Sequence, residues 1–215
     1  MATICPTITA YSEGDYRKEI EKIVHIAHRI QIDLTDGIFT KQKTVSPEQA
    51  WWPVGFTADF HLMYKNPITA VQKILHHKPN LIIVHAESNG DFSQVVGLCK
   101  HHSVKLGIAL LPDTPAETII SRLDEIDHVL IFSGNLGYQG NSHADLLLLD
   151  KVKLLKREKP AVEIGWDGGV NDQNISQLVF GGVDVINVGS FIQEADSPQK
   201  AYKILERIAE ETGTT

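Results

Sequence analysis

Along the chain, short runs rich in Val, Ile and Leu alternate with longer stretches whose apolar residues recur every three or four positions. The first pattern suits strands buried on both faces, and the second suits helices with one buried side. Strands are predicted at residues 3–9, 29–34, 56–62, 81–85, 105–110, 128–132, 161–165 and 184–188. After the first strand, Ile20, Ile23, Val24 and Ala27 share one helical face, and in the last helix Ala201, Ile204, Leu205 and Ile208 do the same. Strand followed by helix, repeated, gives βαβ units and a parallel sheet. Eight evenly spaced strands with about eight helices, and no Gly-rich dinucleotide fingerprint after the first strand, favour closure into a (β/α)₈ TIM barrel over an open doubly wound sheet. The 215 residues lie near the lower size of such barrels, about 200 residues, so one domain over residues 1–215 is expected.

Helix starts are predicted at Ser46-Pro47-Glu48-Gln49, Asn66-Pro67, Thr114-Pro115-Ala116-Glu117 and Ser197-Pro198, where a capping side chain precedes a proline. The first and third also carry the Gln or Glu of a capping box. Residues 134–142, rich in Gly and Asn, read as a loop after the sixth strand.

Hydrophobic residues make up 42% and charged residues 22%, as in ordinary soluble globular domains. The net charge of −7, with no Lys/Arg cluster, argues against a nucleic-acid partner. It leaves room for a small anion in one pocket. No stretch is long and apolar enough to span a bilayer. The first six residues, Met1 to Pro6, lack the basic and apolar regions of a signal peptide, so a cytoplasmic location is the default expectation. Cys5 and Cys99 stand far apart in apolar stretches and are expected as buried, reduced thiols. The pairs His76-His77 and His101-His102 fall at helix ends, facing helix carbonyls and solvent rather than metal. Trp51-Trp52 is expected to be packing, or at most a dimer contact.

Active residues of a barrel lie at the C-terminal ends of its strands. On the second strand, Gln31, Asp33 and Thr35 share one face by the two-residue period and point into the mouth. A carboxylate there is costly unless paired, hydrogen-bonded or metal-bound. Asp33 is therefore either catalytic or a loop cap and Lys partner. His61 and His85, near the ends of the third and fourth strands, are either ligands or satisfied core histidines. Asp167-Gly168-Gly169 follows the seventh strand and Gly189-Ser190 the eighth. Glycine N–H groups at these two places can hold a phosphate, or the glycines serve only as tight turns.

In order along nearly the whole chain, eight groups of residues resemble the ribulose-phosphate 3-epimerase family. They are Pro6-Thr7-Ile8, Asp33-Leu34-Thr35-Asp36-Gly37, His61-Leu62-Met63 with Asn66-Pro67, and Val84-His85-Ala86-Glu87. Next come Gly107-Ile108-Ala109-Leu110 with Pro112 and Thr114-Pro115, Asn135 with Gly137, Tyr138 and Gly140, Asp167-Gly168-Gly169-Val170, and Gly189-Ser190. The resemblance implies a barrel that interconverts ribulose 5-phosphate and xylulose 5-phosphate. It implies a divalent metal (zinc, iron, manganese or cobalt) held by two Asp and two His. Asp33, His61 and Asp167 match three ligands, and Gln31 stands where the family has the second His. Asp33 and Asp167 also match the acid/base pair. Thr7, His61, Met63, Gly137, Gly140, Gly168, Gly169, Gly189 and Ser190 match substrate- or phosphate-binding positions. A homo-oligomer is expected.

Some positions depart from the family pattern. Gln31 is a poorer transition-metal ligand than imidazole, though its carbonyl oxygen can serve. Thr35 replaces a shielding Met, Thr7 a Ser, and Leu111 an Asn, while Leu136 and Gln139 replace Pro and Gly. Three functions follow. The first is a metal-assisted, two-Asp epimerase of ribulose 5-phosphate, working through an enediolate. The second is an epimerase or isomerase of another ketose phosphate. The third is a non-catalytic sugar-phosphate-binding protein that has lost tight metal binding.

Overall fold

In the computed structural model, which describes residues 2–138, 140 and 142–213, eight parallel strands close into a barrel in sequence order. They are β1 (Thr3–Ile8), β2 (Arg29–Thr35), β3 (Thr57–Met63), β4 (Leu81–His85), β5 (Lys105–Leu110), β6 (His128–Phe132), β7 (Glu163–Asp167) and β8 (Val185–Val188). The register β1 to β8 aligns Ile4 with Ile186 and completes the ring. The α-helices are α1 (Glu13–Ile23), α2 (Ile68–Leu75), α3 (Phe92–His101), α4 (Leu149–Glu158), α5 (Ile175–Phe180), α6 (Ser190–Gln193) and α7 (Pro198–Gly213), with 3₁₀ helices at Ala116–Glu125 and Leu146–Leu148. Among the described residues no helix is long and apolar enough to cross a membrane.

Outward strand residues such as Ile32, Leu34, Phe60, Val84, Val129 and Trp166 join the helices in one continuous core. The inward residues stack in levels. At the N-terminal end, Arg29 donates to Asp59 at 2.6 Å and to both oxygens of Glu163 at 2.9 and 2.8 Å. His128 Nδ1 lies 2.8 Å from Glu163, and Asn80 donates to Asp59 at 2.6 Å. Above this polar floor sits a dry plug of Leu81, Ile83, Ala109 and Leu130. The next level up is the polar mouth, so the plug separates two charged layers that would otherwise share one interior.

Several predicted boundaries shift. The seventh strand runs two residues later than expected, because Trp166 is a fully buried strand residue. Gly165 is also kept within it. A Cβ there would come 2.5 Å from His128 Nε2, so the glycine makes room for that ring. Asp167 is therefore the last residue of the strand, not the first of the loop. Residues 47–49 form a turn rather than a helix start. Ser46 N–H donates to Gln49 Oε1, one half of a capping box, but Gln49 N–H donates to the Ser46 backbone O and closes a turn with no helix behind it. Pro67 occupies the cap of α2, and Thr114-Pro115 leads into a 3₁₀ helix. Ser197-Pro198 opens α7 as expected. Val24 lies just past α1, as its cap, and is only half-buried.

His76 and His102 cap α2 and α3. Trp52 packs edge-on against Phe60 at 5.6 Å, and Trp51 lies 6.0 Å from Tyr16. Both cysteines are free and buried. Met1 and Gln139, two residues of the sequence reading, lie outside the described residues.

Candidate functional site

The mouth is built from the last inward residues of β2, β3 and β7. Asp33 and His61 are register partners on neighbouring strands. Asp167 reaches them across the barrel. His61 Nδ1 lies 3.1 Å from Asp33 Oδ1 and 3.7 Å from Asp167 Oδ2. Gln31, one inward step below Asp33, points its amide at both carboxylates. Its Nε2–H group donates to Asp33 Oδ1 at 2.9 Å and to Asp167 Oδ2 at 2.6 Å. Thr9 Oγ1 donates to the other oxygen of Asp33 at 2.7 Å.

Two buried carboxylates this close cannot both shed their protons freely. Burial, then the Asp33 carboxylate, push the Asp167 carboxyl up to about 7, partly offset by His61 and the Gln31 amide. A carboxyl raised in this way gives up its proton less readily, which suits it to the acid role in an acid/base pair. A further carboxyl lies behind Asp33. Glu19 on α1 accepts the Thr9 backbone N–H at 2.9 Å, and burial pushes it up to about 7.

Asp33, His61 and Asp167 each offer one ligand atom, and these atoms lie within 4.8 Å of one another. Two carboxylate oxygens and one imidazole nitrogen suit zinc, iron or manganese. Gln31 decides whether a fourth donor exists. Its Oε1 is buried and has no hydrogen-bond partner among the described residues. A half-turn of the amide about its last torsion, the orientation that is hardest to assign for any Gln, directs this orphaned oxygen at the space between the carboxylates. The four residues therefore fit a divalent cation.

Above the carboxylates opens a cleft lined by Thr7, Thr9, Asp33, Met63, Asp167 and Asn187, and by the loops carrying Gly137, Gly140, Gly168, Gly169, Gly189 and Ser190. Gln31 and His61 do not line it; they lie buried beneath its floor. Gly168 and Gly169 have φ of 120° and 70°, a region closed to most side chains. A Cβ on Gly168 would collide with the backbone of Gly134, and one on Gly169 with that of Ala144. These glycines let the β7 loop press on the β6 loop, which in turn reaches over the mouth. Tyr11 Oη donates to Gly137 O at 3.1 Å, and Gly137 sits against Thr40 of the β2 loop. Thr35, predicted to face the mouth, instead commits its hydroxyl to Gln42 O at 2.6 Å and braces that loop.

Sequence reasoning passed over Thr9 and Asn187, although the two-residue period of a strand puts Thr9 on the face of Thr7, which the family resemblance had singled out. It left His85 open as a ligand or a core histidine. His85 is in fact the next member of a buried chain: its Nε2 lies 2.8 Å from His61 Nε2 and its Nδ1 3.2 Å from Glu87 Oε2. Burial drives His85 down to about 4, against the pull of Glu87. Burial alone would raise Glu87, but its hydrogen bonds from His85, Thr114 and the Leu111 N–H hold it at about 2.

A sequence profile described as the Ribulose-phosphate 3 epimerase family matches residues 3–193. A ribulose-phosphate 3-epimerase of Helicobacter pylori (strain J99) is 32% identical over 211 residues, covering 95% of this chain and 97% of that protein. One of Bacillus subtilis is 30% identical over 195 residues, covering 87% and 89%. Among solved structures, KGPDC from Streptococcus mutans superposes with a TM-score of 0.76 at 12% identity, covering 99% of each chain; this likeness speaks for the barrel alone.

Proposed function

The chain belongs to the ribulose-phosphate 3-epimerase family, and on that premise we propose that it interconverts ribulose 5-phosphate and xylulose 5-phosphate. The observation that carries this reading is the convergence of Asp33 and Asp167 on one cleft, where the Gln31 amide bridges them. Epimerisation at C3, next to the ketone, removes a proton from one face of that carbon and returns one to the other. The intermediate is an enediolate. One carboxylate takes the proton and the opposed carboxylic acid gives one, and the reverse reaction exchanges their roles.

Gln31 and Thr9 hold the pair in place by donating to both Asp residues and to Asp33 respectively. A divalent cation held by Asp33, His61, Asp167 and Gln31 would stabilise negative charge developing on the substrate oxygens. Gly168, Gly169, Gly189 and Ser190 supply backbone N–H groups and a hydroxyl for the phosphate, whose binding energy fixes C3 between the carboxylates. The loop carrying Gly137 and Gly140 limits the access of water to the intermediate.

The test is direct turnover of ribulose 5-phosphate, followed by ¹³C NMR, with Mn²⁺, Fe²⁺, Co²⁺ and Zn²⁺ supplied singly. Xylulose 5-phosphate is the expected product. Turnover of a hexulose 6-phosphate in its place would favour the second reading. No turnover of either with any metal would favour a sugar-phosphate-binding protein, to which Gln31 points.

A further inference from the structure

The chain His61–His85–Glu87 ends outside the machinery just described. We infer that Glu87 and His85 are positioning residues that fix which nitrogen of His61 carries hydrogen, leaving Nδ1 as the atom offered to a cation. This inference rests on the reading that Asp33, His61 and Asp167 hold one.

The chain starts at groups that can act in only one way. The backbone N–H of Leu111 can only donate, and it does so to Glu87 Oε1 at 3.0 Å. The Thr114 hydroxyl donates to the same oxygen. Together with the bond from His85, these donors outweigh burial and favour the Glu87 carboxylate, whose Oε2 can then only accept. His85 Nδ1, 3.2 Å away, must therefore carry its hydrogen. The Nε2 of neutral His85 is then a bare acceptor. His61 Nε2 faces it at 2.8 Å and must donate. Whatever the state of the site, His61 keeps its hydrogen on Nε2. Only Nδ1 is free to vary, and it faces Asp33 at 3.1 Å and Asp167 at 3.7 Å. A bare nitrogen opposite carboxylate oxygens calls for a positive charge between them, either a proton or a metal ion.

The rings are held by packing. Phe39 lies 4.9 Å from the His85 ring, and Phe132 lies 5.7 Å from His61 and 6.0 Å from His85. Both imidazoles are essentially sealed from solvent, so no water replaces a lost link in the chain.

The isosteric change Glu87→Gln reverses the chain. The Gln oxygen stays on the Leu111 N–H, because that group cannot accept. The Gln amide nitrogen then donates to His85 Nδ1. His85 carries its hydrogen on Nε2 and donates to His61, whose hydrogen moves to Nδ1 and blocks the site.

The experiment is ¹⁵N NMR of histidine-labelled protein, metal-free at a pH above the imidazole range and again with Zn²⁺. It is joined to measurement of Mn²⁺ affinity by chelator competition. In the wild type, His61 is expected to carry hydrogen on Nε2 in both spectra. In E87Q it is expected on Nδ1, with Mn²⁺ bound about 10- to 100-fold more weakly. A wild-type His61 whose Nε2 carries no hydrogen, or an unchanged His61 tautomer in E87Q, overturns the inference. If E87Q does not fold, the wild-type spectrum alone decides. If the wild type takes up neither Mn²⁺ nor Zn²⁺, the cation reading fails, while the metal-free spectrum still decides the tautomer.

Discussion

The amide nitrogen of Gln31 lies 2.6 Å from Asp167 Oδ2, which joins β2 to β7 through the barrel interior. The same nitrogen reaches Asp33 at 2.9 Å. With the hydrogens of one uncharged amide, Gln31 thus joins the two acidic side chains that a metal ion would otherwise join. An amide oxygen is a weaker ligand than imidazole, so Gln31→His is expected to tighten Mn²⁺ or Zn²⁺ binding by about tenfold, or about 1.4 kcal/mol. Chelator competition measures this. Equal affinity in the two proteins would mean that residue 31 takes no part in holding the ion.

Glu19 gives stability a pH dependence of known sign. Burial raises its carboxyl from 4.5 to about 7 in the folded protein. The folded state then binds the proton more tightly than the unfolded chain, so its advantage is complete below 4.5 and is lost as pH rises through 7. Urea unfolding at pH 5 and pH 8 is expected to show a fall of about 1–3 kcal/mol attributable to this group. Glu19→Gln keeps an acceptor for the Thr9 N–H and should remove that part of the fall. If wild type and E19Q lose stability in parallel between the two pH values, Glu19 is not the source.

Gly168 and Gly169 combine positive φ with backbone contact on the side where a Cβ would stand. Gly168→Ala and Gly169→Ala are each expected to cost at least about 2 kcal/mol, lowering Tm by about 2–4 °C per kcal/mol. Gly97, on α3 with nothing within 4 Å of its Cβ position, is the control. There Ala should be neutral or stabilising by up to about 1 kcal/mol. Equal Tm changes at all three positions would contradict the close approach of the β6 and β7 loops.

The barrel was legible in the sequence because its strands and helices differ in period, and β4, β5 and β6 begin and end where the apolar runs do. The β7 boundary was misplaced because Gly165 reads as a terminator, although it sits mid-strand to admit the His128 ring. The turn at 47–49 was misread as a helix start because a capping box reports only the first hydrogen bonds of a helix, and here nothing amphipathic follows. Asp33, His61 and Asp167 could be found from their places at strand ends. The bond from His61 to His85 could not, since His61 is paired in register with Ile83 and the two rings meet only through the stagger of the strands. The Arg29–Asp59–Glu163 floor was missed for the same reason: it joins three strands, and no single strand signals it.

The acid/base pair itself is tested by Asp33→Asn and Asp167→Asn. Each should lower kcat by about 10²–10⁴-fold while the circular dichroism spectrum stays that of the wild type. A variant that keeps wild-type kcat would remove that residue from the pair.

The most direct measurement is turnover of ribulose 5-phosphate in D₂O with metal-loaded protein. Proton transfer through two opposed carboxylates predicts deuterium at C3 of the xylulose 5-phosphate formed, and at no other carbon. Product carrying only protium at C3, or a substrate that stays unexchanged and unconverted with every one of Mn²⁺, Fe²⁺, Co²⁺ and Zn²⁺, would contradict it.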